Sequence, residues 1–176
     1  ARNEGAYLPE WIFHHLYFGF SEIDIYVNNS TDNSLELKSL LGQYPVNIYD
    51  ADEVFKDKSS SPQILIYKRA LKDASQTFDA LMFLDIDEFW IPSNFSDTIL
   101  SVCHSLPSFD TVSFQWKNKL EKKEEFSRAI EREMEVDHRE QVKTLFKTYL
   151  NIRELNPHNT SDAFVNRIFE DGTYLQ

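Results

Sequence analysis

The sequence contains a single cysteine, Cys103. No disulfide can form within the chain, and a disulfide-stapled fold is excluded. It has no run of about 18 apolar residues, the length a membrane-spanning helix needs. No signal-peptide pattern opens it, and internal repeats and low-complexity segments are absent. Positive charge is in deficit: 18 Lys and Arg stand against 29 Asp and Glu, a net charge of -11. An acidic surface repels nucleic acids and anionic membranes. It suits an enzyme that handles cations or metal-bound ligands, and equally a chain whose acidity only keeps it in solution. A lone cysteine favours a reducing compartment, so the expected location is the cytoplasm, with the inner face of a membrane as a further option. The opening Ala1-Arg2-Asn3-Glu4 carries no initiator Met, and residues upstream are expected.

At 176 residues the chain is long enough for one domain, 1–176, with a sizeable core. In LPEWIFHHLYFGF, Leu8, Trp11, Ile12, His15 and Leu16 share one face of a 3.6-residue period, which predicts a helix. Pro9 suits its first turn and Gly19 its end. The patterning predicts strands at Ile23–Val27, Val46–Tyr49, Leu81–Leu84 and Thr111–Trp116. Helices are predicted at Ser34–Leu41, Gln63–Ala74 and Asp97–Leu106. Residues 50–62 read as a charged loop. Helix alternating with strand is the grammar of an α/β domain with a mostly parallel sheet flanked by helices. Ligands of such sheets bind beyond the carboxyl ends of the strands. The polar NNSTD and the acidic DIDE both follow a predicted strand. Within residues 119–140, charges of both signs crowd into an exposed helix or an excursion from the fold.

LMFLDIDEFW, Leu81 to Trp90, drives three carboxylates into an apolar run. A buried ionised carboxylate must be paired, hydrogen-bonded or metal-bound. On an extended backbone Asp85 and Asp87 project to the same side. Two like charges held close repel, and a divalent cation relieves that repulsion. Mg²⁺ or Mn²⁺ takes one or two carboxylates and leaves other positions to water and phosphates. The alternative is a pair of solvent-facing acids in a turn, or a helix N-cap.

Together these stretches resemble the family 2-like and family 92-like glycosyltransferases. The pattern there is roughly (K/R)NE..YL.EW..YH...G...I.IYDN.STD.S, met here by Arg2-Asn3-Glu4 and YLPEWIFHHLYFGFSEIDIYVNNSTDNS. Gln63 and Tyr67 match a Q...Y element, LMFLDIDEFW the strand with its DxDEF motif, and VKTLF with Pro157-His158 the later elements. The resemblance runs over roughly residues 2 to 160. It implies a GT-A fold of Rossmann type whose first strand is missing from the chain, a nucleotide-sugar donor and a divalent metal. Arg2, Asn3 and Glu4 would then lie beside the nucleotide, with Asn29, Ser30, Thr31 and Asp32 near base and ribose. Asp85 would meet ribose or metal and Asp87 the metal, His158 would complete the metal shell, and Lys143 would face a phosphate. The chain departs from the pattern at Val27, where Asp is common, at Ala80, where an aromatic is usual, and at KNKLEKK, where FG(S/T) is frequent.

The expected activity is metal-dependent, hexosyltransferase-like transfer of a sugar from a nucleotide-sugar, UDP-linked by expectation, to a carbohydrate or glycoconjugate. The alternative is a non-catalytic nucleotide- or sugar-binding domain of the same fold. An inverting reaction needs a carboxylate base, for which Glu88 and Glu131 are the candidates. A retaining one needs none. Trp11 and His15, on the apolar helix face, read as core residues, and His14 and His15 diverge by about 100° and do not share an ion. Cys103 reads as a small core residue. Trp116 could stack on a sugar, with core packing as the plainer reading.

Overall fold

The computed structural model describes residues 1–56, 61–120, 127–131, 133–153, 155, 156, 158, 160, 162 and 164–175. The chain is mixed α/β. Its elements run α1 (Leu8–Tyr17), β1 (Ile23–Val27), α2 (Leu37–Leu40), β2 (Val46–Asp50), α3 (Asp52–Lys56), α4 (Pro62–Ala74), β3 (Ala80–Met82), α5 (Ile99–Ser105), β4 (Thr111–Lys119), β5 (Val136–Lys147) and β6 (Arg167–Phe169). They fall into two compact units: Ala1–Asp57 with Asp85–Ser105 and Lys122–Glu133, and Lys58–Leu84 with Leu106–Glu121 and Met134–Gln176.

In the first unit β1 and β2 pair in parallel, from Ile23 opposite Val46 to Val27 opposite Asp50. Ile23, Ile25 and Val27 are buried while Asp24 is exposed, the alternation of a strand with one covered face. The Ala1 amino group donates to the Tyr26 carbonyl at 2.8 Å, and the Asn28 amide donates to the Ala1 carbonyl at 3.0 Å, as a parallel neighbour of β1 would. Along α1 the spacing of apolar residues is realised as written, with Leu8, Trp11, Ile12 and His15 buried. The helix ends in a Schellman arrangement. The Phe20 amide reaches the His15 carbonyl and the Gly19 amide the Leu16 carbonyl, each at 3.1 Å. Gly19 takes the positive φ, +87°, that this ending requires, and a Cβ there would lie 3.0 Å from the Cβ of Thr98.

The second unit is built on a four-stranded sheet of order β3-β5-β4-β6. Pairings of β5 with β3 and with β4 are antiparallel, and only β6 joins β4 in parallel. Its core holds Val112, Leu145, Phe146 and Ile168, and Tyr67 stacks on Phe83 at 3.9 Å between ring centroids. A mostly parallel sheet is therefore not what these strands form. Antiparallel strands join by a simple return of the chain, whereas parallel ones need a crossover, and β4 returns as β5.

Several boundaries also differ from expectation. The buried strand expected at Leu81–Leu84 is the three-residue β3, half-buried along its length. Within the loop expected at 50–62, α3 forms instead, and the Asp50 carboxylate accepts the Asp52 amide at its start, 2.9 Å. The helix expected at Ser34–Leu41 shrinks to the single turn of α2. In the charged stretch 119–140, residues 121–126 and 132 lie outside the described residues. Its flanks are strand rather than helix: β4 runs on to Lys119 and β5 begins at Val136. Among the described residues no helix is long and apolar enough to cross a membrane.

Candidate functional site

The acidic stretch is a β-turn. The Glu88 amide donates to the Asp85 carbonyl at 3.0 Å, and in return the Glu88 carboxylate accepts the Asp85 amide at 2.9 Å. Asp85 and Asp87 are exposed and Glu88 is buried. Of three carboxylates, then, only Glu88 is withdrawn from water, and it has a backbone donor to compensate it. Because the backbone turns at Ile86 and Asp87, strand alternation does not set the directions of the two aspartates.

The turn is held by α1. The Trp11 indole N–H lies 2.8 Å from the Glu88 carbonyl and 3.1 Å from that of Asp85. His14 Nε2 donates to the Trp90 carbonyl at 2.8 Å. His15 Nδ1 donates to the Trp11 carbonyl at 2.8 Å, and its Nε2 accepts the Trp90 amide at 3.2 Å. These partners fix both tautomers: a carbonyl can only accept, and an amide N–H can only donate. Burial pushes the pKa of His14 down, and that of His15 down to about 4. The His15 ring is therefore neutral at ordinary pH, as its acceptance of the Trp90 amide requires. His15 is the hydrogen-bonded structural histidine that its place on the apolar face predicts.

Arg2, Asn3, Glu4 and Asn29 to Asp32, expected near the nucleotide, lie in the same unit. The Asn3 amide donates to Ser30 Oγ at 2.9 Å, and the Thr31 amide donates to Asn3 Oδ1 at 2.7 Å. Asn3 and Asn29 both adopt positive φ, 57° and 47°, and the Asn29 amide bonds the Asp52 carboxylate at 2.5 Å. Asp32 accepts the Gly5 amide at 2.8 Å and the Ser34 amide and hydroxyl at 3.0 and 2.6 Å. The Ser34 hydroxyl, with those amides behind it, keeps the Asp32 carboxyl below its usual range. A Cβ on Gly5 would come within 2.5 Å of Asn33 Oδ1, so the two segments approach closely there. Arg2 is exposed and Glu4 half-buried, and the Glu4 carboxylate accepts the Arg2 amide at 3.1 Å. Burial lowers the pKa of the Ala1 amino group against the opposing pull of Glu4 and Asp85.

Glu131, also in this unit, is half-buried in an irregular stretch. Gln63, Lys143 and His158 belong to the second unit. Gln63 donates from Nε2 to the Tyr67 hydroxyl at 2.8 Å, one turn along α4. Lys143 is buried on β5, and its ammonium lies 5.9 Å from the Trp116 ring centroid. The His158 ring stacks on Trp116 at 5.7 Å, and the Val142 carbonyl sits 3.3 Å from its Nδ1. The β4–β5 register shifts between Gln115 and Lys117, around Trp116, and such bulges re-aim side chains. Cys103 is half-buried in α5.

Among the described residues no three or more His, Cys, Asp or Glu side chains gather into a group that could hold a metal ion. Asp85 and Asp87 still suit Mg²⁺ or Mn²⁺ by donor chemistry, since both are hard oxygen ligands and these ions draw further ligands from water and phosphates. What the residue pattern did not reveal is the part played by Trp11, His14 and His15 around that turn. Their partners lie 74 to 77 residues further along the chain, and no local period reports them. The nearest signal was two histidines beside a tryptophan on one short helix.

No curated protein matches the chain. The family model described as glycosyltransferase family 92 matches residues 3–160. That span takes in the Asn3–Glu4 segment, the NSTD loop, the acidic turn and His158. The chain belongs to glycosyltransferase family 92, and is a glycosyltransferase.

Proposed function

We propose that this single GT-A-type domain, 1–176, moves a sugar from a nucleotide-sugar, UDP-linked in the simplest case, to a carbohydrate or glycoconjugate acceptor with the help of Mn²⁺ or Mg²⁺. The observation that carries this reading is the acidic turn: two exposed aspartates on a backbone closed by Glu88 and by Trp11. A cation at Asp85 and Asp87 would supply Lewis-acid neutralisation of the diphosphate as the glycosidic bond to it breaks.

The chain's own groups do the rest. Asn3 and Asn29–Asp32 form a hydrogen-bonded rim whose exposed polar groups suit a base and ribose, with Arg2 and Glu4 beside it. If configuration inverts at the anomeric carbon, Glu88 or Glu131 takes the proton of the acceptor hydroxyl. Glu88 already spends one oxygen on the Asp85 amide.

Incubating a panel of UDP-sugars with the protein and Mn²⁺, without acceptor, tests the reading. Slow UDP release is expected from one donor, reduced about a hundredfold or more in Asp87→Ala through lost electrostatic stabilisation. Inactivity across the panel, with donor still bound, would support the binding-domain alternative.

A further inference from the structure

We infer that Trp11, His14 and His15 are positioning residues for Asp85 and Asp87, an inference that rests on the metal-binding reading above. The acidic turn follows a three-residue strand and belongs to no element of its own. One β-turn bond closes its local backbone, and four bonds from α1 hold it. The indole N–H of Trp11 bridges the two carbonyls that bracket the turn, those of Asp85 and Glu88. His14 holds the Trp90 carbonyl and His15 the Trp90 amide, so the chain leaving the turn is tied on both sides of one residue. His15 is itself locked by the Trp11 carbonyl, and its ring lies 4.4 Å from that of Trp11.

Every one of these contacts ends on backbone. The main chain beneath Asp85 and Asp87 is thereby held. A metal site gains affinity when its ligands are pre-oriented by a second layer of hydrogen bonds. The buried Glu88 carboxylate closes the turn from the other side.

The test uses Mn²⁺ titrated calorimetrically into UDP-saturated protein, with Asp87→Ala as control. Trp11→Phe keeps the ring and removes the N–H. It should weaken Mn²⁺ binding about tenfold and speed amide exchange at Glu88, with exchange at Ile25 on β1 unchanged. His14 is half-buried and tolerates change more readily, so it serves if Trp11→Phe fails to fold. His14→Leu should weaken Mn²⁺ binding, and His14→Gln, which restores a donor for the Trp90 carbonyl, should recover most of it. Wild-type Mn²⁺ affinity in folded Trp11→Phe and in His14→Leu, with binding abolished in Asp87→Ala, would overturn the inference and leave the metal site standing. Mn²⁺ affinity unaffected by Asp87→Ala would overturn the metal site and the inference with it.

Discussion

The two units hold their polar residues in opposite ways. Around the acidic turn, side chains of α1 and of Glu88 grip the backbone, and the expected ligands are exposed. In the other unit Lys143 is fixed by the ladder of β5, opposite Phe114 on β4, and is buried. Geometry in the first unit thus depends on a few hydrogen bonds from one helix. In the second it follows from sheet register and apolar packing. Damage to one should be local and polar in origin, damage to the other global and hydrophobic.

The largest effect should come from the sheet. Phe146→Ala empties a side chain that is 2% exposed and should cost about 3–5 kcal/mol in chemical denaturation, as other large-to-small core changes do. The contrast between the units breaks if this variant keeps its stability. The helix clamp should declare itself through pH. Burial lowers the pKa of His15 from 6.5 to about 4, so the unfolded chain binds a proton that the folded one excludes. The stability tied to the neutral ring is whole above pH 6.5 and is lost as pH falls toward 4. On the order of 3 kcal/mol is at stake. Denaturation midpoints measured across that range should decline in the wild type, and the decline should flatten in His15→Gln. An unchanged slope in the variant would remove His15 from the account. The smallest effect belongs to the loop: Asp32→Ala removes an exposed acceptor of the Gly5 and Ser34 bonds and should cost roughly 1 kcal/mol. A loss as large as that of Phe146→Ala would mean that the loop, too, belongs to the packed core.

The same contrast explains what could be read in the residues. Leu8, Trp11, Ile12 and His15 announce α1 because its partners are all on one side, and the alternation of Ile23, Ile25 and Val27 announces β1 for the same reason. The first half of β5 gives no such signal. Val136 to Gln141 is largely exposed, so charge there reads as a solvated helix although β4 supplies the strand's partner. At the acidic turn the residues were legible and the geometry was not. The backbone of that turn is held by Trp11, far back in the chain. Asp32 is similar: NNSTDNS is plainly a turn-rich loop, yet the amide that Asp32 holds belongs to Gly5, 27 residues earlier.

Calorimetry of UDP binding, with and without Mn²⁺, in the wild type and Asp87→Ala tests the central claim most directly. Tight binding in the wild type only when Mn²⁺ is present, weakened about tenfold or more in Asp87→Ala, is the expected result. Equal UDP affinity in the two proteins, whether or not metal is added, would contradict it.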